Sequence, residues 1–333
     1  VLLSMAGLTS CMLSASAMAD QMHYRNIITG ERAQGLAGAY TGVADDASGV
    51  YYNPAGLAFA QSNDISGSAN AFYNKTVTYK KALLGYEDWK ENSSGTLAPF
   101  FGVMQKLDKY MPGLVGGFAY YMVDTELKDQ DDLIANKYNL TRFHRAANQR
   151  AATYVAAGAL GYRISPTLGI GLGLGYLKVD ELTQVSQNLI YTNYYLVQSL
   201  RESLIAHGTQ ATFGIQWAPS SRVAVGLTAK SGYYASQKLV QTTDILRVDS
   251  NGLYSAPNEV KSSNPLGSMP LELRSGVAWF ASPKLLVTAD IDWHGEAKDM
   301  DNSSKAVFSR ESVLNYATGV EYYAVSYTHL RAH

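Results

Sequence analysis

The stretch Thr209-Gln210-Ala211-Thr212-Phe213-Gly214-Ile215-Gln216-Trp217 decides the fold class. In an extended chain, successive side chains point to opposite sides. Ala211, Phe213, Ile215 and Trp217 therefore share one face, and Gln210, Thr212, Gly214 and Gln216 share the other. The same alternation follows the Ala218-Pro219-Ser220-Ser221 turn. Val223, Val225, Leu227 and Ala229 lie on one side, with Arg222, Ala224, Gly226, Thr228 and Lys230 opposite. Farther on, Leu271, Leu273, Val277 and Trp279 alternate with Glu272, Arg274, Gly276 and Ala278. Leu285, Val287, Ala289, Ile291 and Trp293 then alternate with Thr288, Asp290 and Asp292. A period of two in segments of about ten residues is the signature of barrel strands. Gly169, Gly171, Gly173 and Gly175 leave one strand face bare, so that another part of the chain can approach it closely.

Connections between these segments alternate in length. Short turns fall near residues 106–113, 165–166, 219–220 and 283–284, whereas long connections cover 81–95, 124–150, 180–207, 236–270 and 296–310. Short turns at one end and long loops at the other are the asymmetry of an outer-membrane barrel. About ten strands are expected, at 64–80, 95–105, 114–124, 151–164, 167–180, 208–218, 221–235, 270–281, 284–295 and 312–324. Tyr162, Tyr176, Trp217, Trp279, Trp293 and Tyr322 fall near strand ends, where interfacial aromatics sit. A soluble β-sandwich also alternates, but it has no reason to keep its long loops at one end.

Composition narrows the class. The 333 residues carry 27 Lys+Arg against 28 Asp+Glu, a formal charge of -1, and this balance lacks the basic excess that nucleic acid requires. Tyr (24) outnumbers Phe (9) and Trp (4) together, which favours strands. A mean hydropathy of -0.12 is too polar for a bundle of membrane helices. Cys11 is the one cysteine, which excludes disulfide frameworks and thiolate metal sites. The six histidines show neither H-x-x-x-H nor H-E-x-x-H spacing, so no metal or cofactor is expected.

Residues 1–19 read as part of a signal peptide, with Ala17-Met18-Ala19 placed as the cleavage site before Asp20. An alternative is a lipobox at Leu8-Thr9-Ser10-Cys11; either means export. Residues 325–333 lack any strand pattern and are expected to be a non-native tail.

Residues 20–61 do not alternate. They hold Gly35, Gly38, Gly42, Gly49 and Gly56, and the run from Arg32 to Ala58 contains Ala37-Gly38-Ala39-Tyr40-Thr41-Gly42 and Tyr52-Asn53-Pro54-Ala55-Gly56. This run resembles the plug of the FadL/OmpP1/TodX family, outer-membrane transporters of long-chain fatty acids and other hydrophobic compounds. The resemblance implies an all-β fold, a transmembrane antiparallel barrel of about 14 strands stopped by a small amino-terminal plug, of which about ten strands are present here. It divides the chain into a plug at 20–61 and an incomplete barrel at 62–324, and so implies a carboxy-terminal truncation. The partners it implies are hydrophobic small molecules (long-chain fatty acids, aromatic hydrocarbons) and outer-membrane lipid, for a monomer in the bacterial outer membrane.

The family captures substrate between long loops and releases it sideways beside a kinked third strand. Leu196, Val197, Leu200, Leu204 and Ile205 stand at helical spacing in one long connection. Leu239, Val240, Ile245, Leu246 and Val248 stand in the next, and the two sets are the candidate capture groove. Packing of a loop helix on its own barrel reads the same residues equally well and does not exclude the groove. Gly116 and Gly117 are candidates for a ladder-breaking bulge at a lateral gap, or else an ordinary glycine pair at a strand start. Asn53, Pro54, Ala55 and Gly56 are expected to fix a turn of the plug in a structural or gating role. Arg222, Arg274, Glu272, Asp290 and Asp292 are read as inward charges that pair across the lumen. Two other functions compete: a diffusion porin, which needs no plug, and an outer-membrane lipase, for which no Ser/His motif is present. The chain is not expected to be an enzyme.

Overall fold

The computed structural model describes residues 28–68, 72–83, 87–96, 99–137, 140–263, 266, 268–298 and 309–323. The expected signal segment with Cys11, the first part of the plug (20–27) and the tail at 325–333 lie outside the described residues.

The strands are β1 (Asp64–Ser68), β2 (Phe72–Leu83), β3 (Glu87–Thr96), β4 (Phe100–Lys106), β5 (Leu114–Lys137), β6 (Leu140–Ser165), β7 (Leu168–Tyr191), β8 (Tyr194–Ser220), β9 (Val223–Asp249), β10 (Gly252–Ser262), β11 (Glu272–Ser282), β12 (Leu285–His294), β13 (Ala297–Lys298), β14 (Ser309–Arg310) and β15 (Val313–Tyr322). A single antiparallel wall runs β1-β4-β5-β6-β7-β8-β9-β11-β12-β15. Its ten members each overlap one of the ten expected segments, but the expected strand 64–80 is divided between β1 and β2, and β3 fills most of the expected connection 81–95. Off this path, β10 folds back on β9, and the β2–β3 hairpin joins β5. Among the described residues β1 pairs only with β4, and β15 only with β12.

Burial is inverted relative to a soluble sheet. Phe213, Trp217, Leu227, Trp279 and Ile291 are each about half exposed on the outward face. On the inward face Thr212, Gln216, Thr228, Arg274, Asp290 and Asp292 are all buried. Apolar side chains left outside and polar ones kept inside are what a lipid-facing barrel requires. No described helix is long and apolar enough to cross a membrane, so any crossing is made by strands. Of the aromatics, Trp217, Trp279 and Tyr322 point outward near the short turns and Trp293 near the opposite end of β12, whereas Tyr176 points outward in mid-strand, because β7 continues to Tyr191.

The long connections differ from the sequence expectation. Where they are described, at 124–137, 140–150, 180–207 and 236–262, they are almost wholly strand and hold no amphipathic helix. β5, β6, β7, β8 and β9 instead continue outward as tall hairpins, with β7 and β8 joined by only Thr192 and Asn193. Leu196, Leu200 and Leu204 are four residues apart, a spacing that also satisfies a period of two, and here they share the inner face of a strand. Two further corrections concern charge and bulge. Arg222 lies exposed in the turn between β8 and β9 and does not face the lumen. Gly116 and Gly117 form no bulge, since both are paired in register with β4 and with β6. The irregularity of β5 falls at Val123, between Met122 and Asp124.

Residues 28–60 fold against the inner face as two one-turn helices, Glu31–Gly35 and Gly49–Tyr52, followed by a 3-10 turn at Gly56–Phe59. Here lies the core: Leu36, Tyr40, Tyr52, Asn53 and Leu57 are all essentially inaccessible. Gly49 and Gly56 are required inside this segment, because a Cβ on Gly49 would stand 2.5 Å from Ala44 O and one on Gly56 would overlap the same carbonyl.

Candidate functional site

The site is the seat of the plug in the wall. Glycines facing inward on adjacent strands let the plug backbone approach, since any side chain there would fill its space. A Cβ on Gly171 would overlap Pro54 and the Ala55 amide, one on Gly214 would overlap Asn53 Oδ1, and one on Gly226 would overlap the Thr41 carbonyl. On Gly161 a Cβ would stand 2.6 Å from Pro54 O, and on Gly319 2.6 Å from Leu36 O. Gly161, Gly171 and Gly214 are direct partners across β6, β7 and β8, so they form one bare row. Of the glycine run in β7, Gly169 and Gly171 take this role, whereas Gly173 has only ordinary contacts.

Polar groups fix the plug in that bare seat. Asn53 Nδ2 donates toward Thr41 O (3.0 Å), Ile215 O (3.1 Å) and Gln216 Oε1 (2.9 Å), while its Oδ1 accepts the Ala55 amide at 3.1 Å. Gln216 Nε2 donates onward to Gly42 O. One buried amide thus satisfies the turn and the wall together, which explains the Asn-Pro-Ala pattern as a docking element. Asp290 Oδ2 accepts the backbone amides of Tyr40 (3.0 Å) and Thr41 (2.8 Å). At the two ends of the wall, Asp64 of β1 accepts the Ala47 amide at 3.0 Å, and Arg32 meets Glu321 of β15 at 3.1 Å. Arg32 also pairs with Asp45 at 2.7 Å. Burial pushes the Asp45 carboxyl above its ordinary range, and the Arg32 guanidinium opposes that rise.

A second cluster faces the plug from β9, β11 and β12. Tyr51 lies with Lys230 Nζ 4.4 Å and Arg274 Cζ 4.8 Å from its ring centre, and its edge meets Tyr121 at 4.9 Å. Arg274 is held by Glu272 and, at 3.5 Å, by Asp292, so these three of the expected inward charges pair along the wall rather than across the lumen, whereas Asp290 serves the plug amides. Sequence reasoning missed the two tyrosines, Tyr51 and Tyr121, although both stand in patterned segments.

The two sets of capture residues meet across β8 and β9, with Leu204 opposite Leu239, Val197 opposite Leu246 and Ser203 opposite Val240. They do not line a single surface. Leu196, Leu200 and Leu204 lie inward with Leu239, whereas Val197, Ile205, Val240, Leu246 and Val248 lie on the outer side; Ile245 is inward, opposite Gln198. Farther out, one inward row crosses five strands as Asp132, Arg145, Gln187, Gln198 and Ile245. Read as loop, this row was invisible in the sequence.

Gly116 and Gly117 line an apolar groove of about 920 Å³ with Ile65, Val103, Phe118 and Leu160. Above it the ladder is interrupted. Pairing of β5 with β4 ends at Tyr121 opposite Phe100, and pairing with β3 begins at Leu127 opposite Ser94. Among the described residues, 122–126 have no ladder partner on that side.

Among the described residues no group of three or more His, Cys, Asp or Glu is placed to hold a metal. His144 bonds Asp131 at 2.5 Å and His207 bonds Tyr176 at 2.6 Å, so neither of these bonds involves a serine.

No family model matches the sequence, and no curated protein does. Solved structures do match. A TodX deltaS2S3 mutant monoaromatic hydrocarbon channel superposes with a TM-score of 0.62 at 12% identity, over 89% of this chain and 80% of that one. The P. putida toluene transporter TodX gives 0.60 at 13% identity, over 93% and 77%. The Ralstonia pickettii toluene transporter TbuX gives 0.60 at 10% identity, over 90% and 84%. These neighbours are transporters and channels rather than enzymes. At such identities the likeness speaks for architecture, and the architecture is that of the TodX-type channels: this chain has the fold to which the resemblance of residues 32–58 pointed.

Proposed function

We propose that the chain is an outer-membrane channel for uptake of hydrophobic small molecules, long-chain fatty acids or aromatic hydrocarbons, acting as a monomer without catalysis. The observation that carries this reading is a wall with an apolar outer face and a polar inner face whose interior is stoppered by residues 28–60. A stopper disfavours the diffusion porin, which conducts through an open aqueous lumen. The structural neighbours, toluene transporters and a monoaromatic hydrocarbon channel, support a hydrophobic cargo.

In this reading the inward apolar residues Leu196, Leu200, Leu204 and Leu239 receive cargo above the plug. Asn53, Pro54, Ala55 and Gly56 hold the stopper, and cargo leaves sideways beside β5. Support for the exit comes from the apolar groove at Gly116 and Gly117 and from the stretch at 122–126, which among the described residues has no ladder partner on the β3/β4 side. A gap in the ladder can persist at membrane depth where protein or cargo covers it. Deletion of Val123 is the test of release, because it removes the extra residue while keeping the pairing of Met122 with Tyr154 and of Asp124 with Thr153. Proteoliposomes carrying that variant should bind radiolabelled toluene or oleate as the parent does, yet transfer it to the bilayer at least about tenfold more slowly. Equal transfer would discard the lateral route. Large ion currents through the unaltered protein would favour the porin.

A further inference from the structure

The outward face of β6 to β9 changes character where its apolar belt ends. Tyr154, Tyr176 and Tyr233 crown that belt, and the strands then continue beyond it as the tall hairpins. Register assigns the successive outward rows: Tyr154-Lys178-His207-Ser236, then Ala152-Asp180-Ile205-Lys238, then Arg150-Leu182-Ser203-Val240, then Asn148-Gln184-Arg201-Thr242. These rows hold one cation on each of four adjacent strands, Arg150, Lys178, Arg201 and Lys238, against a single acid, Asp180. Asp180 pairs with Lys178 at 3.2 Å. Arg150, Arg201 and Lys238 are exposed and form no ion pair among the described residues. Other outward acids lie at the margin. On β5, Asp129 flanks the last row and Asp131, bonded to His144, stands one row farther out; on β10, Glu259 flanks the last row opposite Thr242 and is paired with Lys261; Asp244 stands one row farther out, opposite Ser199.

We propose that this band binds the phosphate groups of an anionic outer-leaflet lipid. The proposal rests on the membrane reading above and adds a lipid specificity to it. Strands lie about 4.8 Å apart, so the band is about 15 Å wide, the scale of one or two lipid headgroups. It begins at the aromatic crest, where headgroups meet water, and guanidinium and ammonium groups match phosphate by charge and by hydrogen-bond donors. Apolar Leu182, Ile205 and Val240 between the cations suit the acyl and sugar surfaces below a phosphate better than open water. The ligand source is the lipid, not free phosphate, because the cations form a shallow band with no enclosing pocket.

The test refolds the full chain into phosphatidylcholine nanodiscs doped with a bis-phosphorylated glycolipid or with its dephosphorylated counterpart, and reads retained lipid by native mass spectrometry. The parent should retain the phosphorylated form preferentially. R150Q/R201Q/K238Q should weaken that retention about a hundredfold, from the energy of three surface cations near an anionic bilayer. K106Q/K109Q/K284Q, at the short-turn end, should leave it unchanged. Excess inorganic phosphate should not displace the lipid. Equal retention by R150Q/R201Q/K238Q in a protein that still inserts overturns the proposal and leaves the barrel reading intact, and displacement by inorganic phosphate overturns the lipid assignment. Failure of the parent to insert into either bilayer overturns the membrane reading and this proposal together.

Discussion

The carboxylate of Asp290 accepts the backbone N–H of Thr41 at 2.8 Å and so ties the plug to a strand 249 residues later in the chain. The same oxygen takes the Tyr40 amide. Two buried donors thus depend on one side chain from the wall, and Gly276, the cross-strand partner of Asp290, leaves room for the approach.

Asp290→Ala should leave both amides buried without an acceptor and destabilise the seat by about 2–4 kcal/mol. Asp290→Asn keeps one acceptor oxygen and should cost about half as much. Limited proteolysis checks this. In the alanine variant, cleavage within residues 28–60 should accelerate while the wall strands stay protected, and single-channel recording should show openings that the parent lacks. Equal protection of residues 28–60 in both variants would mean that the plug is held elsewhere.

Gly214→Val should act on the same equilibrium from the other side of the plug, because a Cβ there would overlap Asn53 Oδ1. β-branched residues suit strands, so the wall itself should fold. Gly173→Val, two residues beyond Gly171 in β7, meets only ordinary contacts and should be nearly silent. Conductance and plug proteolysis separate the two: openings with Gly214→Val, none with Gly173→Val. If both variants conduct alike, the bare row does not seat the plug.

How far the sequence could be read follows from where polarity contrasts exist. At lipid depth one face is apolar and the other polar, so Phe213 and Gln216 announce a strand by themselves. Beyond the lipid both faces of β7 and β8 meet water or each other, the contrast fades, and Leu196, Leu200 and Leu204 fit a helix as well as a strand. The bareness of Gly169 and Gly171 was legible as a place of close approach, but its partner, Pro54, was not, since a one-dimensional pattern carries no pairing across more than a hundred residues. The bulge at Val123 was missed for a similar reason. Glycine is only one cause of a bulge, and an inserted residue in a strand leaves no compositional mark.

Phe213→Lys and Ile291→Lys should each cost about 2–4 kcal/mol of insertion free energy if these side chains face the bilayer interior. Both residues are nearly half exposed on the outward face. Folding into lipid vesicles, followed by urea titration, measures the cost. Val248→Lys, on the tall hairpin beyond the aromatic crest, should be neutral in the same assay. A water-soluble, unaltered Phe213→Lys protein would contradict the lipid-facing assignment of the whole wall.

Leu204 and Leu239 are cross-strand neighbours on the inner face, whereas Val197 and Ile205 lie on the outer side of the same strand. That division makes the capture proposal sharp. Leu204→Asp should place a charge among buried apolar side chains, and an uncompensated buried charge there weakens an apolar site by several kcal/mol. Uptake of a hydrophobic tracer by intact cells should fall about tenfold or more in Leu204→Asp and in Leu200→Asp. Val197→Asp and Ile205→Asp should keep near-parental uptake, because their charges point away from the path. Heat-modifiable migration on gels confirms that each variant is folded before uptake is compared. Equal losses from inward and outward substitutions would show that the hairpin supports the wall without touching cargo. Loss from Val197→Asp and Ile205→Asp alone would move the capture surface to the outside of the hairpin.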